Sequence, residues 1–491
     1  MDLIQRRGFR IAVEACLGLF AAVLCWVDVS WAFRPGLFPI QDELSNPTLF
    51  LDGSYHQIVH FIPSWFFCDR PLGWAFVKLM DDFFRFNYTR QLECFLAIHF
   101  ANTGMVFLLF RRLGVSVPIS IAGVGLFGGL WTTAATATYP GAAHDMICLF
   151  FLLGSVLAIL SERRGASILS AVLFLAALRS KEFGIVAPVA LTVLVALRLP
   201  RMPLLRTLAA VARRLWLHYL IALLIGLRYA SLYRAWHAQL PPGDPYRADL
   251  HVTTVLKSLA YYTALIFGAE ESKWQLPPVA LAVGLGAVLC WAVVRRRAGL
   301  AFGVCAFVLT ILPVALMPNQ RATFYAYAPQ VFLILVLCLL VDEAIGWRRN
   351  PAHLRWIAAV CIALAVFSWC LTFRRSSYFR DRINFTITVR RISARTAHQV
   401  DAQLPPMGPE THVYVDHAAD TRPWLFIAGP CSYLRLVNRQ RDIFCEVDKN
   451  SDQLRAQYAA DPGPKYLIDY NDDGSFTVAA SRVGPSTAAN R

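Results

Sequence analysis

The hydrophobic positions fall into long runs separated by short clusters of arginine, and the runs recur at the length that crosses a bilayer. They lie at about 11–32, 92–110, 117–137, 146–160, 167–178, 184–198, 215–233, 277–294, 300–317, 329–346 and 356–373. That predicts about eleven transmembrane helices. A short apolar stretch at 258–270 reads as a further span or as an interfacial helix. The long loop after the first run has its own pattern. Trp74, Val77, Met80 and Phe84 share one helical face, while Lys78, Asp81, Asp82 and Arg85 lie elsewhere. This predicts a helix over 74–86 lying in the interface, because its charges forbid spanning. The segment 54–67, rich in His and aromatics, reads as a second such helix. Beyond residue 374 the pattern changes again. Pro405, Pro406 and Pro409 form a linker, 411–416 alternates like a strand, 464–470 reads as another, and Asn471 to Gly474 is a turn before 475–480. The expected fold class is an all-α polytopic membrane protein with a small C-terminal α/β extramembrane domain. Its parts are a transmembrane domain over 1–375, a first outer loop over 33–91 within it, and a C-terminal domain over 376–491.

Composition excludes the simplest alternatives. Of 491 residues, 57% are hydrophobic and only 16% charged, against roughly 25% charged in soluble domains. Neither a soluble globular protein nor a disordered chain fits. The net charge of +15 suggests nucleic acid until its placement is read. The arginines sit between apolar runs, at Arg6/Arg7/Arg10, Arg111/Arg112, Arg163/Arg164, Arg198 to Arg214, Arg295 to Arg297 and Arg348 to Arg355. That is the positive-inside pattern, so the partner is a lipid bilayer and no nucleic acid is expected. With the N-terminus inside, the first loop and the tail fall outside, which in a bacterial inner membrane is the periplasm. The first run lacks a small-residue cleavage site and reads as a retained span. Nine of the twelve cysteines lie in or beside apolar runs, and no Cys/His metal spacing occurs. Cys431 and Cys445 are the only two beyond residue 374; an oxidising compartment would pair them, and the alternative is two buried free thiols. Leu434, Leu436 and Val437 between them suit two adjacent strands, or a strand and a loop.

Chemistry concentrates at the outer ends of the runs. Gly123-x-Gly125-x-x-Gly128 spells a dinucleotide fingerprint but sits inside an apolar run with no preceding strand, so close helix packing explains it better. Asp42-Glu43 follows the first span, where a carboxylate serves as a general base or as a solvated loop acid. His144-Asp145 opens the fourth span, as a helix cap or as a second acid facing the same cavity. Lys181 and Glu182 border lipid between two runs, as a phosphate ligand with its support or as a snorkelling pair. Arg321, with Tyr325 and Tyr327 after it, offers a phosphate fork or an interfacial anchor.

Taken together these motifs resemble the GT-C glycosyltransferases, and most closely the O-mannosyltransferase-like branch that often carries tetratricopeptide repeats. Asp42-Glu43 looks like the family's acidic pair in the first outer loop, and Asp69-Arg70-Pro71-Leu72 looks like its Arg-Pro-Leu element. Asp145 matches the Asp of an Arg-x-Asp element whose Arg is Ala143 here. Ser180-Lys181-Glu182 with Pro188 resembles a Ser-Lys-Glu element, and Gln320-Arg321 to Tyr327 resembles a Glu-Arg-Tyr-x-Tyr element with Gln for Glu. The likeness covers about residues 10–345, and the tail lacks the repeats. It implies an inverting transfer of sugar from a polyprenyl-phosphate-linked donor to a lipid, glycan or protein hydroxyl on the outer face of the membrane. Asp42 would be the base. Lys181, Arg321 and Arg70 would hold the donor phosphate, with Glu43 and Asp145 orienting hydroxyls and Glu182, His144, Tyr325 and Tyr327 in support. A divalent metal is compatible with this chemistry, though no ligand set argues for one. Competing readings are a lipid-linked glycan polymerase or ligase, and a transporter or flippase using Asp28, His99 or Arg228.

Overall fold

The computed structural model describes residues 29–39, 70–161, 163–237, 246–267, 277–346, 351–375, 377–417, 423–427, 431–440, 442–448 and 451–482, with scattered positions in 12–27, 47–55 and 240–244. Asp28, Asp42, Glu43 and Asp69 lie outside the described residues, as does nearly all of the expected helix at 54–67.

Helices dominate the first three quarters of the chain. They are α1 (Pro71–Phe84), α2 (Tyr88–Arg112), α3 (Val117–Gly129), α4 (Trp131–Ala137), α5 (Ala143–Ile159), α6 (Ala166–Leu178), α7 (Ala187–Arg198), α8 (Leu204–His237), α9 (Val252–Ile266), α10 (Pro278–Val294), α11 (Ala298–Ala315), α12 (Tyr327–Ala344) and α13 (Ala352–Arg375). Among the described residues, five stretches are long and apolar enough to cross a membrane: Tyr88–Arg112, Pro140–Ile159, Leu204–Ser231, Ala298–Ala315 and Thr323–Ala344. The run expected at 117–137 is divided into two helices, α3 and α4, which meet at 62°. The runs at 167–178 and 277–294 form the shorter apolar helices α6 and α10, and 258–270 falls in and after another, α9. Along α8, Leu204, Leu205, Leu223, Leu224 and Leu227 are each more than half exposed, an apolar surface that suits lipid. The protein is an integral membrane protein.

The helix over the first loop forms as its pattern requires. Pro71 opens α1 at a position where its missing N–H costs nothing. Trp74, Val77 and Met80 are buried. The glycines of the false fingerprint serve packing. A Cβ on Gly123 would meet Cys338 Sγ at 2.6 Å, and one on Gly128 would overlap Cys25.

After α13 and a single intervening residue, α14 (Ser377–Gln403) leads into the C-terminal unit. This comprises β1 (Thr411–His417), α15 (Trp424–Ile427), α16 (Ser432–Asn438), β2 (Ile443–Asp448), α17 (Ser451–Ala460), β3 (Lys465–Tyr470) and β4 (Phe476–Arg482). The sheet order is β2-β1-β3-β4, parallel at β1–β2 and β1–β3 and antiparallel at β3–β4. Both faces are covered. Val413 and Val415 pack with Val400 and Leu404 of α14, while Tyr414 points the other way onto Leu454 of α17. The Asn471–Gly474 turn closes β3 onto β4, with Gly474 at φ +86, where glycine is favoured. Cys431 and Cys445 form a disulfide with Cα atoms 5.3 Å apart. Its partners are a loop residue and β2. Leu434, Leu436 and Val437 lie on helix α16 and not on a strand.

Candidate functional site

One end of the bundle gathers the charges. The start of α1, the start of α5, the turn between α6 and α7 and the turn before α12 meet there. The chain holds them together by backbone. The N–H of Leu72 donates to the carbonyl of Arg179 at 3.1 Å, tying α1 to the end of α6. Lys181 then leaves the helix in extended conformation, φ −160 and ψ 144, before a 3-10 turn over Glu182–Val186. Successive side chains of an extended segment point to opposite sides. Lys181 and Glu182 therefore take different partners.

Lys181 Nζ donates to Asp145 Oδ2 at 2.6 Å, and the two side chains are only 6% and 4% exposed. Arg70 Nη2 lies 2.5 Å from Glu182 Oε1, across 112 positions of sequence. Glu182 thus does not hold Lys181 in place, as its sequence position suggested. It belongs to Arg70, and Asp145 takes the lysine. Burial pushes the Glu182 carboxyl up, but Arg70 and Lys181 outweigh that and hold it below its ordinary range. The four charges cancel, which is how two cations and two acids survive at a membrane boundary.

Aromatic rings line the quartet. Lys181 Nζ sits over Phe324 at 5.1 Å and over Tyr325 at 4.7 Å. Phe324 in turn stacks with Tyr139, centroids 6.3 Å apart. His144 packs edge-on against Trp74 at 4.6 Å, close enough to α1 that a Cβ on Gly73 would overlap its ring. Cys148 Sγ, one turn along α5 from Asp145, lies 3.7 Å from the Lys181 carbonyl oxygen.

Two expected residues have partners of their own outside the two ion pairs. The Arg321 guanidinium is exposed and lies over Tyr261 at 4.4 Å. Tyr327 is fully buried, and its hydroxyl joins His99 Nδ1 at 2.9 Å and Asn102 Nδ2 at 3.3 Å. It supports the loop of Phe324 and Tyr325 from beneath and does not line the site. Tyr261 and Phe324 are site-edge aromatics that sequence reasoning passed over. Their signal was position, Tyr261 within the apolar stretch at 258–270 and Phe324 three residues after Arg321. Among the described residues no group of three His, Cys, Asp or Glu side chains is arranged to hold a metal ion.

No family model and no curated protein matches the chain. Two solved structures of ArnT from Cupriavidus metallidurans are similar at 14% identity. The apo structure matches over 95% of this chain and 94% of that one with a TM-score of 0.49. The structure bound to undecaprenyl phosphate matches over 95% and 93% with a TM-score of 0.46.

Proposed function

We propose that the protein is a GT-C-type glycosyltransferase that moves a sugar from a polyprenyl-phosphate-linked donor to a hydroxyl acceptor at the periplasmic face of the bacterial inner membrane. The observation that carries this reading is the buried pairing of Lys181 with Asp145 and Arg70 with Glu182 at one boundary of the bundle, walled by Phe324 and Tyr325. A donor of this kind lies in the bilayer with its phosphate at the interface, where cations held in place before binding stabilise a leaving anion without reorganisation.

Transfer is inverting in this reading. Asp42 takes the proton of the acceptor hydroxyl as its oxygen bonds to the anomeric carbon. The bond from that carbon to the phosphate oxygen breaks, and the polyprenyl phosphate leaves with the electron pair. The transition state has oxocarbenium character. Lys181, Arg70 and Arg321 receive the phosphate charge. Asp145, on releasing Lys181 to the phosphate, accepts hydrogen bonds from sugar or acceptor hydroxyls together with Glu43.

The test is turnover of a polyprenyl-phosphate sugar by membranes carrying Asp42→Asn. General base catalysis contributes roughly 10²–10⁴-fold, so transfer should fall by that order with the protein still inserted. Normal transfer by both Asp42→Asn and Glu43→Gln removes the base from the mechanism.

A further inference from the structure

α5 starts at the charge quartet and α6 ends beside it, so the short turn that joins them lies at the opposite end of the bundle. The arginine clusters make that end the inner boundary. Beside the turn, the start of α6 and one face of α8 form an open groove of about 510 Å³, a size ordinary for a small-molecule site. Ala210, Arg213, Arg214 and Leu217 line it from α8 at the spacing of a single helical face, and Arg163 lines it from the turn. No described residue of its lining is acidic. None of the three arginines forms an ion pair among the described residues. Glu162 of the same turn lies outside the described residues, and one carboxylate cancels only one of three charges. The positive-inside pattern accounts for arginines at this boundary. It does not account for three of them walling one groove without an acid.

The groove is built before any ligand arrives. Arg214 Nη2 donates to the Ile159 carbonyl at 2.7 Å and so caps the end of α5. That single bond to a neutral oxygen fixes the guanidinium and leaves its charge and its other N–H groups for an anion. One helical turn deeper, fully buried side chains tie the three helices together. Ser155 Oγ of α5 donates to the Ser170 carbonyl of α6 at 2.8 Å, and Ser170 Oγ meets His218 Nε2 of α8 at 2.9 Å. Apolar side chains flank the charges. Ile168 of α6 is 61% exposed and Trp216 of α8 is 56% exposed. Fixed cations beside bare apolar surface and an indole, at the level where headgroups lie, match an anion that carries acyl chains.

We propose that this groove binds a phospholipid with two phosphodiesters in one headgroup, a cardiolipin. One phosphate is taken by Arg213 and Arg214 on α8 and the other by Arg163 on the turn, with acyl chains over Ile168 and Trp216. A phospholipid with a single phosphate reaches only one side of the groove and leaves the other uncompensated, and a zwitterionic one brings a cation among cations. The site is independent of glycosyl transfer and stands whether or not that reading holds.

Native mass spectrometry of the full-length protein released from nanodiscs tests it. The nanodiscs hold phosphatidylethanolamine with cardiolipin and phosphatidylglycerol, the last two supplied at equal phosphate. Cardiolipin is expected to be retained several-fold more than phosphatidylglycerol. Equal retention of the two, or equal retention of phosphatidylethanolamine, overturns the proposal without needing any variant. Arg163→Gln with Arg213→Gln leaves Arg214 to cap α5 and should bring cardiolipin down to the phosphatidylglycerol level. Unchanged retention in that double variant also overturns the proposal. Arg112→Gln with Arg295→Gln removes the same charge from the same boundary outside the groove. Both positions neighbour the end of α7, where the Arg112 carbonyl accepts from Arg198 and Arg296 donates to the Leu199 carbonyl. This second pair should retain cardiolipin like the parent. If it loses as much as the first pair, diffuse charge attracts the lipid and the groove is not its site. Soluble glycerophosphoglycerol at millimolar concentration should not displace the bound lipid. If it does, the groove reads a free phosphodiester and the assignment to a lipid fails.

Discussion

At the residue scale, the site is two ion pairs whose members are easy to find in the sequence and hard to match. Arg70, Asp145, Lys181 and Glu182 are legible because charges bordering apolar runs stand out. Their partners are not legible, because adjacency in sequence suggests Lys181 with Glu182, while extended backbone at Lys181 sends the two side chains apart. The pairing has a measurable signature. Removing one member of a buried pair leaves an uncompensated charge and costs about 3–5 kcal/mol. Lys181→Met should therefore lower the melting temperature steeply, and Lys181→Met combined with Asp145→Asn should recover much of it. Neither variant should transfer sugar. If the double variant melts no higher than Lys181→Met alone, the pair is not the source of the loss. The second pair makes a pH prediction. The Glu182 carboxyl is held below its ordinary value of 4.5 by Arg70 and Lys181. Its contribution is thus fully present above that pH and is lost as pH falls through the lower folded-state value. Stability should therefore fall as pH drops below the ordinary glutamate value, and Glu182→Gln should flatten that fall.

At the scale of elements, apolar periodicity told most of the story. It placed α1 and the strands β1, β3 and β4 to within a residue or two or three at each end. It missed α14, whose mixed charges carry no apolar run, and β2, a six-residue strand with two acids in it. It ran through the 62° break between α3 and α4 because both halves are equally apolar. The Cys431–Cys445 bridge was expected on the reading that puts the tail in an oxidising compartment. It closes a loop of 14 residues, so its removal should cost about 3 kcal/mol in the chain-entropy model. Denaturant unfolding of Cys431→Ser with Cys445→Ser against the parent measures this, and no change would mean the unit is held by its core alone. Helix packing predicts a local effect as well. Gly73 lets α1 lie on His144 of α5, and any Cβ there overlaps the ring. Gly73→Ala should move His144 and Trp74 together, lowering transfer more than it lowers the melting temperature. Unaltered transfer would show that the α1–α5 contact does not set the site.

At the scale of the whole molecule, sidedness follows from contacts that no hydropathy pattern contains. Arg390 of α14 is 1% exposed, lies 4.0 Å from the centroid of the Tyr88 ring and donates to the Phe38 carbonyl at 2.9 Å. Phe38, Phe86 and Tyr433 form an aromatic cluster with centroids 5.1–5.8 Å apart. Phe38 and Phe86 belong to the first loop and Tyr433 to the C-terminal unit. These parts touch, so they lie on one side of the membrane whatever the number of spans between them. The arginine clusters argue that this side is outside. Reporter fusions after residue 60 and after residue 400 should thus agree with each other and both show periplasmic activity. Disagreement between the two would contradict the contacts, while agreement on a cytoplasmic signal would leave the contacts intact and overturn the arginine argument and the disulfide compartment with it. Arg390→Met separates docking from topology. It removes the cation that bridges Tyr88 and Phe38, so limited proteolysis should release the C-terminal unit faster while both reporters stay unchanged. Equal cleavage of parent and variant would mean that the aromatic cluster alone holds the unit against the first loop.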